Sequence, residues 1–285
     1  IAPASMVVHA GGRPVFCDVD PETYLMDLGD ARARITDRTK ALAPVHIFGN
    51  PFDMEQVKDL AESHGLKLIC DAAQAHGAVY KGLDAGHWGD VSCYSFYPSK
   101  NMFVGEGGMV CCDDDALADD LRLLRSHGIA GKYLHTRLGF NYRMTDVEAA
   151  IGRKQLQRLD EMLTRRQRNA DIYNNALENI SGLTPQKTTA DSSHAWHQYC
   201  VVVDTQKYGM DRDSLAAYLG EHGVATAVHY PRGLHQQPVF ADLYGEQRLP
   251  VTEDLARNIL ALPVHHGLDD TQVERVAGLL AKAGA

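Results

Sequence analysis

Through its first 110 residues the chain alternates short apolar runs with amphipathic stretches, most of them closed by glycine, aspartate or proline. A pattern that switches between the strand period and the helix period builds strand–helix–strand units, and such units assemble a mainly parallel sheet. Residues 13–17 read as a short strand after Gly11-Gly12, residues 27–35 as a short helix, and residues 40–45 as a second strand running into a turn at 46–51. Asp53 can cap a helix that runs to His64 and stops at Gly65. Residues 66–70 form a nearly unbroken apolar strand, expected where both faces are covered. Two more strands follow at 91–96 and 108–112.

Beyond the strands the periodicity turns helical. Leu117, Leu121 and Leu124 have core spacing within a helix over 114–127. Thr145, with Glu148 three residues on, is a capping box opening one long helix to about residue 177, long enough to connect domains. After Ser181-Gly182 come a strand at 199–203, a helix at 211–222, a strand at 224–229 and a closing helix at about 269–281. The chain of 285 residues thus divides into a large α/β domain, 1–163, and a smaller C-terminal α+β domain, 164–285.

Composition narrows the function. At 45% hydrophobic and 23% charged residues the chain is neither disordered nor fibrous. No apolar run approaches the roughly 18 residues that cross a bilayer, and the first residues lack the basic region of a signal peptide. The net charge of −9 denies the broad positive field that nucleic-acid binding uses, and Arg165-Arg166-Gln167-Arg168 reads as a solvated helix face. Six cysteines without a Cys-x-x-Cys pair fit a reduced, cytoplasmic protein. Fourteen histidines lack ligand spacing with carboxylates or cysteines, so no structural metal is expected. Ser92, Ser95 and Ser99 have no nucleophile elbow, so serine hydrolysis has no support.

The chemistry concentrates in residues 69–108. Asp71 ends an apolar strand, the place where ligand sites collect in open α/β sheets. Lys100 follows a second strand end, in a polar turn with Ser95, Ser99 and Asn101, ahead of Gly105-Glu106-Gly107-Gly108. Singly, such an aspartate is often only a helix cap and such a lysine only solvated. Together they present an acid and an amine, which is what pyridoxal phosphate needs: an amine for its aldehyde, a carboxylate for its ring nitrogen, and hydroxyls for its phosphate.

These runs resemble the DegT/DnrJ/EryC1/StrS family of sugar aminotransferases, pyridoxal-phosphate enzymes of fold type I. Asp71-Ala72-Ala73-Gln74-Ala75-His76-Gly77 is similar to the family's cofactor-ring motif, and Ser95-Phe96-Tyr97-Pro98-Ser99-Lys100-Asn101 to its lysine motif. Gly139-Phe140-Asn141-Tyr142-Arg143-Met144, Val228-His229-Tyr230-Pro231, Leu234-His235 and Leu262-Pro263 extend the similarity over essentially the whole chain. His87-Trp88 departs from the small residues expected before Gly89-Asp90.

The resemblance implies roles by position. Lys100 would carry the cofactor and then shuttle the proton at the substrate carbon. Asp71 would pair with the pyridine nitrogen, Gln74 contact O3′, Ala73 pack on a ring face and Ser95 bind the phosphate. Asn141 would reach the phosphate of a neighbouring subunit, implying a homodimer with shared active sites. His229 and Tyr230 would lie at the sugar end. The implied reaction moves an amino group, with L-glutamate the expected donor, to a nucleotide-linked keto sugar in amino-sugar and polysaccharide (lipopolysaccharide) biosynthesis. Lys100-Asn101-Met102 ahead of the glycine turn resembles perosamine-type C4 enzymes more than C3 enzymes. Sugar dehydration, run by relatives with histidine for the lysine, is disfavoured by Lys100; a non-catalytic regulatory or binding role is the alternative of another class. Family members also carry a segment ahead of Ile1, with early helices and a phosphate-binding loop, so the large domain here is expected to lack its N-terminal part.

Overall fold

The computed structural model describes residues 1–284. Its first sheet has four strands in the order Ala41–Leu42, Lys67–Asp71, Val91–Ser95 and Gly108–Cys111. The first three are parallel and the fourth returns antiparallel, so this is an α/β unit with a mostly parallel sheet. The helix Met54–Ser63, capped by Asp53, sets Val57, Leu60 and Ala61 against Leu42, Leu68 and Cys70. Asp71 is brought to the carboxyl edge of this sheet, and Ser95 to the same edge one strand over.

A second, three-stranded antiparallel sheet runs Ile259–Leu262, Tyr199–Val203, Leu183–Pro185. The helices Leu159–Leu177, Arg212–Glu221 and Asp270–Ala283 pack on it through Tyr173, Leu215, Leu219, Val273 and Leu280, all buried. The two units are stitched by Tyr24, Phe48, Cys200, Ile259 and Ala261. Among the described residues, no helix is long and apolar enough to cross a membrane.

Several sequence expectations change. Residues 13–17 and 224–229 form no strand: the first has no ladder partner among the described residues, Val19–Met26 being the isolated bridge nearby, and the second pairs at one position alone, the bridge Ala227–Ala261. The strand Lys67–Asp71 alternates rather than being covered on both faces, with Leu68 and Cys70 buried and Ile69 44% exposed. Leu117, Leu121 and Leu124 lie on a helix, Asp115–Arg125, that has no buried residue. The expected long helix is two, Asp146–Leu156 and Leu159–Leu177, interrupted at Arg158 (φ −110°, ψ 0°). Arg166 is buried, not on a solvated face. Helices at Pro238–Tyr244 and Pro250–Asn258 and the strand Ile259–Leu262 were not anticipated.

Candidate active site

Asp71 and Lys100 reach one space from adjacent strand ends. Asp71 Oδ1 accepts the Ala73 N–H at 3.0 Å, which bends the chain away from the strand and sets Ala73 beside the carboxylate. Its other oxygen has no hydrogen-bond partner among the described residues. Burial pushes the carboxyl above its ordinary range, opposed by the Ala73 N–H and by the Lys100 charge. Burial lowers the Lys100 amine, opposed by Asp71. A half-buried lysine that forms no ion pair among the described residues and is eased toward neutrality is suited to attack or proton transfer at carbon.

The turn that carries Lys100 is closed by three backbone bonds: Lys100 N–H to Tyr97 O (2.9 Å), Val104 N–H to Phe96 O (2.9 Å) and Phe96 N–H to Gly107 O (2.9 Å). Gly105, at φ +105°, makes the reversal that brings Gly107 back to Phe96, a conformation costly for any side chain-bearing residue. Ser95 ends its strand with its hydroxyl accepting the Tyr97 N–H at 3.3 Å.

Gln74 is held at both ends. Its Oε1 accepts the Phe48 N–H at 2.5 Å and its Nε2 donates to the Tyr230 hydroxyl at 3.2 Å. Because a backbone N–H can only donate, the amide's orientation is set and one Nε2 proton stays free. Burial raises the Tyr230 phenol, opposed by the Gln74 bond. Burial, then the Lys100 charge, lowers His229. The structure thus gathers Asp71, Ala73, Gln74, Ser95, Lys100, His229 and Tyr230. Asn141 stands apart: exposed, bridged through its backbone to Ser126, with no bond to any of them.

Three residues of this region were not singled out from sequence. His76 is buried between Tyr94 and Phe96, neither ring nitrogen hydrogen-bonded among the described residues, and burial takes it down to about 4. Asn101 and His197 are joined side chain to side chain at 3.2 Å. Asn101 was visible only as a polar neighbour of the lysine, and no spacing ties it to His197.

The donor set fits pyridoxal phosphate. It offers a carboxylate with a free oxygen, a partly desolvated amine, a spare amide proton, a small side chain beside the acid and a hydroxyl at the neighbouring strand end. Comparison with known proteins agrees. The chain matches the model of the DegT/DnrJ/EryC1/StrS aminotransferase family over residues 1–281. It is 40% identical to a pleiotropic regulatory protein of Geobacillus stearothermophilus, covering 99% of this chain and 75% of the relative. It is 39% identical to a UDP-N-acetyl-3-dehydro-alpha-D-glucosamine 3-aminotransferase of Acidithiobacillus ferrooxidans (99% and 74%). It is also 37% identical to a GDP-perosamine synthase of Escherichia coli O157:H7 (96% and 73%). The crystal structure of DesV from S. venezuelae superposes with a TM-score of 0.94 at 36% identity, covering 100% of this chain and 76% of that one.

Proposed function

The chain belongs to the DegT/DnrJ/EryC1/StrS aminotransferase family of pyridoxal-phosphate-dependent transaminases, and from that premise we propose that it transfers an amino group from L-glutamate to C4 of a nucleotide-linked keto sugar. The observation that carries the reading is the convergence of the Asp71 carboxylate and the partly desolvated Lys100 amine at one sheet edge. When bound, pyridoxal phosphate supplies a protonated ring that delocalises the electron pair of the substrate carbon. Asp71 would hold the ring nitrogen's proton, Lys100 the aldehyde carbon, Ser95 the phosphate and Gln74 the O3′ side, with Ala73 against the ring. The Lys100 amine would move the proton at the reacting carbon. His229 and Tyr230 line the sugar end.

The C4 preference rests on Lys100-Asn101-Met102 and the following glycine turn, and a perosamine synthase stands among the relatives. A C3 reading has its own support in the 39% identical 3-aminotransferase. The same proposal includes a cytoplasmic homodimer with shared active sites, and a division at 163/164 into cofactor-binding and smaller parts. Purified enzyme loaded with pyridoxal phosphate should aminate a nucleotide-linked 4-keto-6-deoxy sugar with L-glutamate, product NMR placing nitrogen on C4. Nitrogen on C3 of a 3-keto substrate instead would overturn the regiochemistry. Turnover of neither sugar, with binding indifferent to Lys100, would favour the regulatory role that one relative's name carries.

A further inference from the structure

Asn101, the residue after Lys100, is 1% exposed and is held at both ends of its side-chain amide. Its Nδ2 donates to the Ala195 carbonyl at 2.7 Å, and its Oδ1 faces His197 Nδ1 at 3.2 Å. A carbonyl can only accept, so the amide cannot be flipped, and its Oδ1 requires the proton on His197 Nδ1. Burial, then the charges of Lys100 and Arg166 and the rings of His76 and His229, take His197 well below its ordinary value. It is therefore the neutral Nδ1–H tautomer, with no partner on Nε2 among the described residues.

The far end of this link is rigid. The His197 N–H donates to Phe48 O at 2.8 Å, and Arg166 Nη1 donates to Trp196 O at 2.8 Å and His197 O at 3.4 Å. Arg166 is itself buried with no carboxylate partner among the described residues; burial lowers it only to about 10, so it stays a cation. A buried guanidinium committed to these carbonyls holds the 196–197 peptide in place.

We propose that Asn101 is a positioning residue for Lys100, acting through His197, and that the pair ties the lysine turn to the C-terminal half of the chain. The inference rests on Lys100 being the cofactor-bearing lysine. A lysine stem is flexible, so its amine is placed only as well as its backbone is anchored. Without the link, that turn keeps its local backbone bonds and the Phe103 N–H bond to Gln155 Oε1 at 3.2 Å, and no bond to the C-terminal half among the described residues.

The test uses holoenzyme of Asn101→Ala, Asn101→Asp, His197→Ala, His197→Gln and the double alanine variant. Borohydride reduction of wild type must first fix the pyridoxyl group on Lys100. Asn101→Ala should then lower kcat about tenfold or more with KM for the keto sugar within about twofold. Asn101→Asp places a carboxylate beside the lysine and should raise the pH midpoint of the lysine–cofactor absorbance by about one unit. His197→Gln, whose amide can still donate to Asn101, should retain kcat within about threefold, while the double variant is no worse than Asn101→Ala alone, which already lacks both the His197 and the Ala195 bonds. Wild-type kcat and midpoints in both Asn101 variants, or additive losses in the double, would overturn the proposal while leaving Lys100's role intact. If Asn101→Ala fails to fold, the contrast between His197→Ala and His197→Gln decides, equal losses counting against it. No adduct on Lys100 in wild type overturns both readings.

Discussion

At the scale of single residues, Lys100 carries the sharpest prediction. Borohydride reduction of the pyridoxal-phosphate-loaded protein should leave a pyridoxyl mass on the peptide containing Lys100. Lys100→Ala should lose that adduct, and turnover should fall by about a thousandfold, in the range for removing a positioned acid–base group. An alanine variant that still transaminates would end the assignment. Asp71 and Lys100 were legible because each follows a strand-like run and precedes turn chemistry, a local pattern. The free oxygen of Asp71 and the two-ended clamp on Gln74 were not, since Phe48 and Tyr230 meet Gln74 only in the folded chain, 26 and 156 residues away. The Asn101–His197 link spans 96 residues and leaves no periodic trace.

At the scale of elements, caps were the most readable feature. Asp53 and Thr145, the two caps read from the sequence, each accept from the backbone N–H three residues on, as do Asp211 and Asp269 where two further helices were expected to begin, because the cap is a contact between near neighbours. Strands read less well. Residues 13–17 have strand composition but no partner, whereas Ile259–Leu262, directly after a helix, becomes a fully buried strand because Tyr199–Val203 pairs with it. The helix Pro250–Asn258 shows the same dependence on distance: its preceding residue, Leu249, offers no side-chain cap. Asp18 supplies one from afar, accepting Val251 N–H at 3.0 Å, Thr252 N–H at 2.8 Å and the Thr252 hydroxyl at 2.7 Å. Burial works against this carboxylate, yet these bonds outweigh it and hold its pKa below the usual range. Asp18→Ala should therefore lower unfolding stability by about 1–3 kcal/mol, a lost cap plus stranded, partly buried donors. Urea denaturation measures it; an unchanged midpoint would show that the helix start holds without Asp18.

At the scale of the whole molecule, buried histidines give the chain a pH response, and its surface bears on the proposed homodimer. His46, His76 and His194 are buried, and burial takes them to about 4, about 4 and about 3. Below about pH 6.5 the unfolded chain protonates these rings while the native one does not, so each contribution is complete above that pH and is lost as pH falls toward 4. The slope approaches about 1.4 kcal/mol per pH unit for each ring. Urea midpoints should drop between pH 7.5 and 5.5, and a His46→Asn protein should show a shallower drop; parallel slopes would exclude His46 as a source. The proposed homodimer has a candidate surface. Leu138 is 95% exposed, Phe140 and Tyr142 stack on one another in the open at 4.8 Å, and Asn141 lies between them. An exposed apolar patch of this kind suits the proposed subunit interface. If Asn141 serves the partner subunit's site, Lys100→Ala and Asn141→Ala homodimers should both be crippled, yet become active when unfolded and refolded together. In each mixed dimer one site collects both mutations and the other is intact. Random reassociation makes half the dimers mixed, so activity should return to roughly a quarter of the wild-type level. No recovery on mixing, with mixed dimers verified by mass, would place Asn141 in the site of its own subunit or in none.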